Sequence, residues 1–207
     1  MKKIIIIFFI VAVFATGYCS VRFLADMPQK AKLALQQKGG TYVSLSGINR
    51  NIREAAIASQ DERFSTNSGI DLRGTARAIY YTLTTGKRQG ASTITEQLIK
   101  NVYFSDIDDL RTDILTKILA VTATAEYPKN TILELYLNSI YYGNNTYGIE
   151  KASEFYFQRP AMVVSLDEAA YLIGLINAPS YLGSHKDAAL READLVLQSM
   201  RREKALH

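Results

Sequence analysis

Apolar residues recur at three- and four-residue spacing along most of the chain, and that period restricts the fold to packed helices with little sheet. An amphipathic helix over Phe23 to Gly40 is expected to stop at the Gly39-Gly40 pair, glycine being the usual residue past a helix end. Further helices are expected over Ile52 to Ser59, Leu72 to Thr84, from Ser92 or Thr93 onward, and over Asp109 to Ala125. Four more follow, over Thr131 to Tyr141, Ile149 to Phe157, Leu166 to Ile176 and Asp187 to Lys204. On the Asp109 helix, the pattern assigns Ile114, Leu115, Ile118, Leu119 and Val121 to the buried side. Polar and glycine-containing residues at 65–71, the basic stretch Thr85 to Gly90, Pro128, the Asn/Gly run Gly143 to Gly148 and Ala178-Pro179-Ser180 supply the breaks. Only Thr41 to Leu45 alternates as a short strand would, so the expected class is mainly α with minor β.

A chain of 207 residues can bury one good core, and 48% apolar against 21% charged residues excludes disorder. The net charge of +4 suits an anionic lipid surface or a pyrophosphate as well as nucleic acid. No Cys-His spacing or aromatic-interleaved basic patch supports the last, so no nucleic-acid partner is expected. Lys2 and Lys3 precede an unbroken apolar run from Ile4 to Ala15, and no charge follows until Arg22. As a helix, this uncharged stretch reaches about 27 Å, just short of a hydrocarbon core of roughly 30 Å. It reads as a short signal anchor or as a signal peptide cleaved near Ala15-Thr16-Gly17, and either exports the remainder. The lone Cys19 excludes an intramolecular disulfide.

Residues 60–101, QDERFSTNSGIDLRGTARAIYYTLTTGKRQGASTITEQLIKN, carry the most specific motifs. They resemble two signatures of glycosyltransferase family 51, the peptidoglycan glycosyltransferases: E-D-x-x-F-x-x-H-x-G, then G-x-S-T-I-T-Q-Q-L-x-K-N. Tyr42 to Phe64, Ile132 to Phe157 and Ser165 to Ser180 resemble further blocks of the family in the same order. The resemblance implies a lysozyme-like helical glycosyltransferase domain over 41–207, a juxtamembrane helix over 22–40, and a transmembrane anchor over 1–21. It places the chain as a single-pass protein of the bacterial plasma membrane, with the domain on the extracytoplasmic side. Lipid II, the undecaprenyl-pyrophosphate-linked glycan, is the implied substrate, and other cell-wall synthesis proteins are implied partners. A divalent cation at the pyrophosphate is admitted by resemblance alone; no ligand set is legible, so no cofactor is expected.

The resemblance also implies roles for individual positions. The family's general base, a glutamate, falls on Gln60, which can orient a hydroxyl but cannot deprotonate it. Its second glutamate, which assists the leaving pyrophosphate, falls on Thr116; an Arg-Lys pair falls on Thr112 and Asp113, and a histidine on Asn67. The substrate-binding positions retained are Asp61, Arg77, Ser92, Thr93, Gln97 and Lys100, with Arg63, Phe64, Gly69 and Lys129 completing the pattern. A helix start bearing hydroxyls and free amides, with a lysine a turn or two on, suits an anion. Glu134, Asn138 and Tyr141 share spacing that reads as a structural wall rather than a catalytic face. The expected function is therefore binding of lipid II by a catalytically impaired relative acting as scaffold or regulator. The alternatives are an active polymerase using the relocated carboxylates Glu96 and Asp113, or a glycan hydrolase.

Overall fold

The protein is described by a computed structural model covering residues 15–86, 90, 92–105, 107 and 109–206. Residues 15–24 are helical, followed by α1 (Met27–Gln37), α2 (Arg50–Gln60), α3 (Leu72–Thr85), α4 (Ile94–Tyr103) and α5 (Leu110–Glu126). Then come α6 (Lys129–Ser139), α7 (Ile149–Phe157), α8 (Leu166–Leu175), the short α9 (Pro179–Leu182) and α10 (Lys186–Leu206). Among the described residues no helix is long and apolar enough to cross a membrane. The expected anchor lies, up to residue 14, outside the described residues.

Two groups of helices share one core. In the first, α8 is buried along its length from Ala169 to Leu175 and is gripped by α2 and α10. α10 turns Ala189, Ala193, Val196 and Met200 inward, a stripe at helical spacing, while α2 contributes Ile52, Ala55 and Ala56. α8 starts at a full capping box: Ser165 accepts from the Glu168 N–H, and the Glu168 carboxylate accepts from the Ser165 N–H. In the second group α4 packs on α5 and α6, and α1 packs on α6.

The single helix expected over Phe23 to Gly40 is divided by a turn at residues 25–26, and two further expectations fail. The strand over Thr41 to Leu45 does not form: Leu45–Gly47 is a 3-10 turn, and the one β-bridge among the described residues joins Tyr141 to Tyr147. The backbone partners of this segment are side chains of α6 instead. The Asn138 side chain accepts from the Val43 N–H at 3.0 Å and donates to the Val43 carbonyl at 2.9 Å. The Glu134 carboxylate accepts from the Leu45 N–H at 2.7 Å and from the Tyr42 hydroxyl. Glu134 and Asn138 are thus structural, as their spacing indicated; Tyr141 lies beyond the end of α6.

The second failure concerns α5. Ile114, Leu115, Ile118 and Val121 are exposed, and only Leu119 of the expected set is buried. The inward face is small and polar: Thr112, Thr116, Ala120 and Ala123. The period was right but the apolar stripe points outward, continued by the exposed Leu110 and Ile107. α3 likewise exposes Leu72, Tyr80 and Leu83, and is tied to the body at its base by polar contacts.

Candidate functional site

α2 ends at Gln60 because Asp61 leaves helical geometry (φ −158°, ψ 77°) while its N–H still reaches the Ile57 carbonyl. The Asp61 carboxylate is buried, 6% exposed, and serves as a structural anchor. The Asn67 amide donates to both its oxygens at 2.9 and 3.0 Å, and the Ile94 N–H donates at 3.1 Å. Burial pushes this carboxyl above its ordinary range; the Asn67 and Ile94 donors pull it back. The Asn67 carbonyl oxygen in turn accepts from the Gly69 N–H and the Lys129 ammonium, both at 3.0 Å. Lys129 also lies over the Phe64 ring, and burial lowers its pKa. Asn67, read from sequence only as a missing histidine, is the hub of this network.

The N-terminus of α4 is built as its hydroxyls suggested. Thr93 is the N-cap: its Oγ1 accepts from the Glu96 N–H at 3.1 Å and donates to the Gly69 carbonyl at 2.6 Å. Yet the anion that meets the first amide of the helix is the chain's own Asp61, which already satisfies the Ile94 N–H. Gly69 sits at φ +97°, and a Cβ there would lie 2.2 Å from the Ala120 carbonyl oxygen, so only glycine fits.

Gln60 lines an open cleft of about 480 Å³ together with Asp61, Glu62, Arg63, Asp71, Arg77, Ser92 and Thr93. Its amide nitrogen is 3.4 Å from Asn177 Oδ1 and 3.5 Å from Ser59 Oγ. Arg63 forks onto Asp71, with Nε to Oδ1 at 3.1 Å and Nη2 to Oδ2, and holds that carboxyl below the usual range. Asp71 also caps α3 by accepting from the Gly74 N–H. Ser199 and Arg202 of α10 complete the wall. Neither was singled out from sequence; a basic residue on a long exposed helix gives no signal until the fold brings it round.

Thr116 lines a separate cavity of about 150 Å³ with Ser92, Glu96, Gln97, Lys100, Asp113 and Lys117. The carboxylate of Glu96, 4% exposed, accepts from Lys117 Nζ at 2.7 Å, a partner that sequence reasoning missed. Gln97 accepts from the buried Tyr136 hydroxyl at 3.0 Å. The Thr116 hydroxyl is buried without a partner. Ser92 alone belongs to both the cleft and the cavity, so the structure brings Glu96, Asp113 and Thr116 together and leaves Gln60 on the other side. Among the described residues no cluster of three or more acidic, histidine or cysteine side chains gathers to hold a metal, so no step is assigned to one.

Comparison with known proteins agrees with this architecture. The family described as Transglycosylase matches residues 28–201. The chain is 39% identical over 178 residues to penicillin-binding protein 2a of Streptococcus pneumoniae, which covers 84% of this chain but 24% of that protein. It is 38% identical over 147 residues to the monofunctional glycosyltransferase of Staphylococcus saprophyticus, covering 68% of this chain and 54% of that one. With the monofunctional glycosyltransferase of Staphylococcus haemolyticus it shares 32% identity over 188 residues, covering 86% and 70%. The chain thus spans about a quarter of the penicillin-binding proteins and about half to two thirds of the monofunctional enzymes. On the extent and level of these matches, the chain belongs to the transglycosylase family, glycosyltransferase family 51.

Proposed function

We propose that the chain binds a lipid-linked peptidoglycan glycan at the membrane surface and polymerises it poorly, serving cell-wall synthesis as a binder or scaffold. The observation that carries this reading is the state of the carboxylates around Gln60. Asp61 is caged by Asn67 and the Ile94 amide, Asp71 is held by Arg63, and Glu62 faces Arg77 and Arg202. Glu96 is tied to Lys117 in the neighbouring cavity. An amide takes no proton at the acceptor hydroxyl, and losing a general base costs about 10²–10⁴ in rate. Arg77, Ser92 and Lys100 line the cleft and the neighbouring cavity as groups for binding rather than for proton transfer, while Asp61, Thr93 and Gln97 hold the fold beside them.

Membrane association is supported by the outward apolar stripe of α5 and the exposed apolar residues of α3, features that mark lipid- or protein-facing surfaces. Together with the apolar segment at the start of the chain, they suit a domain seated on the extracytoplasmic face of a bacterial plasma membrane.

One observation favours a second reading. Glu96 and Thr116 line the same cavity, so a carboxylate remains near the position of the family's second glutamate, now carried by α4. A lipid II polymerisation assay on the full chain, beside Gln60→Glu, Thr116→Glu and the double variant, separates the two. The binding reading expects little polymer from the unmodified chain and a gain of about 10²-fold or more with the glutamates restored. Glycan strands formed by the unmodified chain at the rate of an intact family member, and lost in Glu96→Gln, would establish the polymerase.

A further inference from the structure

The charges lining the Gln60 cleft do not balance where a ligand would meet them. Asp71 and Arg63 neutralise one another through a two-point fork. Asp61 is buried and satisfied by Asn67 and the Ile94 amide. Among the described lining residues that leaves two guanidinium groups, Arg77 from α3 and Arg202 from α10, facing the single carboxylate of Glu62. Arg77 Nη1 is 3.7 Å from Glu62 Oε2, and Arg202 Nη2 is 3.5 Å from Glu62 Oε1. Both separations exceed the roughly 2.7–2.9 Å of a charge-assisted hydrogen bond. All three side chains are more than a third exposed, so these contacts are weak and water can compete for them.

From this arrangement we propose that Arg202 is a second cation for an oxyanion of the substrate, acting with Arg77, and that Glu62 fills the anion's place when the cleft is empty. The inference rests on the reading of this cleft as a glycan-substrate site. Two guanidinium groups converging from different helices form a pincer, and an oxyanion with several acceptor atoms meets both more closely than one carboxylate on a short tether does. Ser199, which accepts from Arg202 Nη2 at 3.3 Å, limits the directions the arginine can take. Phosphate and carboxylate oxyanions share this chemistry, and a lipid-linked muramyl peptide carries both.

The test is titration calorimetry of the full chain in detergent, with inorganic diphosphate and with succinate, on wild type, Glu62→Gln, Arg202→Ala and Arg202→Lys. The expected results are binding roughly two- to fivefold tighter for Glu62→Gln, the range of an exposed ion pair, and about tenfold weaker for Arg202→Ala, as expected when a charge-assisted pair is removed. Arg202→Lys recovers part of that loss. Tighter binding in Glu62→Gln cannot come from a merely structural role. Preference for diphosphate over succinate assigns the site to the phosphate end of the substrate, and the reverse assigns it to the peptide. Unchanged affinity in Arg202→Ala, or weaker binding in Glu62→Gln, overturns the proposal. Binding of lipid II is measured separately. If the small anions follow the pattern and lipid II does not bind, the reading of the substrate fails and the arginine assignment stands. If lipid II binds with an affinity indifferent to Arg202, the arginine assignment fails.

Discussion

Replacing Asn67 by alanine should be among the most damaging single changes near the cleft that leave the apolar core intact. The side chain makes four polar contacts: two donated to Asp61, one accepted from the Gly69 N–H and one from Lys129. A hydrogen bond to a charged group is worth about 1.5–3 kcal/mol and a neutral one about 1 kcal/mol. Summed at face value the four exceed what water entering at the partly exposed Asn67 would leave, so a net loss of about 2–4 kcal/mol is expected. For a chain of this size, each kcal/mol lowers Tm by about 2–4 °C, giving a drop of roughly 6–12 °C for a loss near 3 kcal/mol. The loss should also depend on pH. Burial already raises the Asp61 carboxyl, and losing the Asn67 donors raises it further, so the folded variant binds a proton more readily than its unfolded chain. Its stability therefore climbs as pH falls through that raised value toward about 4, and the gap to wild type narrows. Urea unfolding followed by circular dichroism at pH 7 and pH 4.5 measures both effects. A loss under about 0.5 kcal/mol at pH 7, or a gap that stays constant on acidification, would refute the assignment of Asn67 as hub of a buried ionic network.

Other positions carry sharp expectations. Gly69→Ala should cost about 2–4 kcal/mol, because the added Cβ meets the Ala120 carbonyl at 2.2 Å and the backbone is left-handed; thermal melts check this. Thr116→Val should stabilise by about 1 kcal/mol, since it removes a buried hydroxyl without a partner while keeping its shape; a loss in the same melts would mean that the hydroxyl is satisfied. Asp71→Asn keeps a helix cap but gives up the charge, so it should cost about 1 kcal/mol at pH 7. Arg63 depresses the Asp71 carboxyl, so this contribution is complete above about pH 4 and is lost only as pH falls through the depressed value; unfolding curves at pH 7 and at about pH 2.5 compare the two. Serine at Ile114 and Ile118 should leave Tm within about 2 °C, as surface changes do, while reducing flotation with anionic liposomes.

The helices were legible because their signals are local. Thr93 caps where its hydroxyl predicts, and Ile149–Phe157 has the boundaries its pattern gave. What could not be read depends on distant partners. Tyr42, Val43 and Leu45 alternate like a strand, but the acceptors and donors that hold them belong to Glu134 and Asn138. The α5 stripe has a correct period and the wrong direction, since periodicity marks an apolar face without saying whether protein or another medium covers it. At the site, Gln60, Ser92 and Thr93 were found beside one another through local motifs. Lys117 as the partner of Glu96, and Arg202 facing Glu62, needed the packing of α4 on α5 and of α10 on α2.

The placement of α10 also sets the order in which the molecule can be finished. During synthesis at about 5–20 residues per second, Arg202 leaves the ribosome roughly 7–28 s after Gln60. Throughout that interval the apolar side of α2 lacks α10 and the cleft lacks one wall, and α8 itself emerges only late in it. Such long-range closure is slow, and it exposes apolar surface to other chains while it waits. Substitutions along the Ala189, Ala193, Val196 and Met200 stripe would therefore lower the yield of folded protein before any loss at the cleft could be measured.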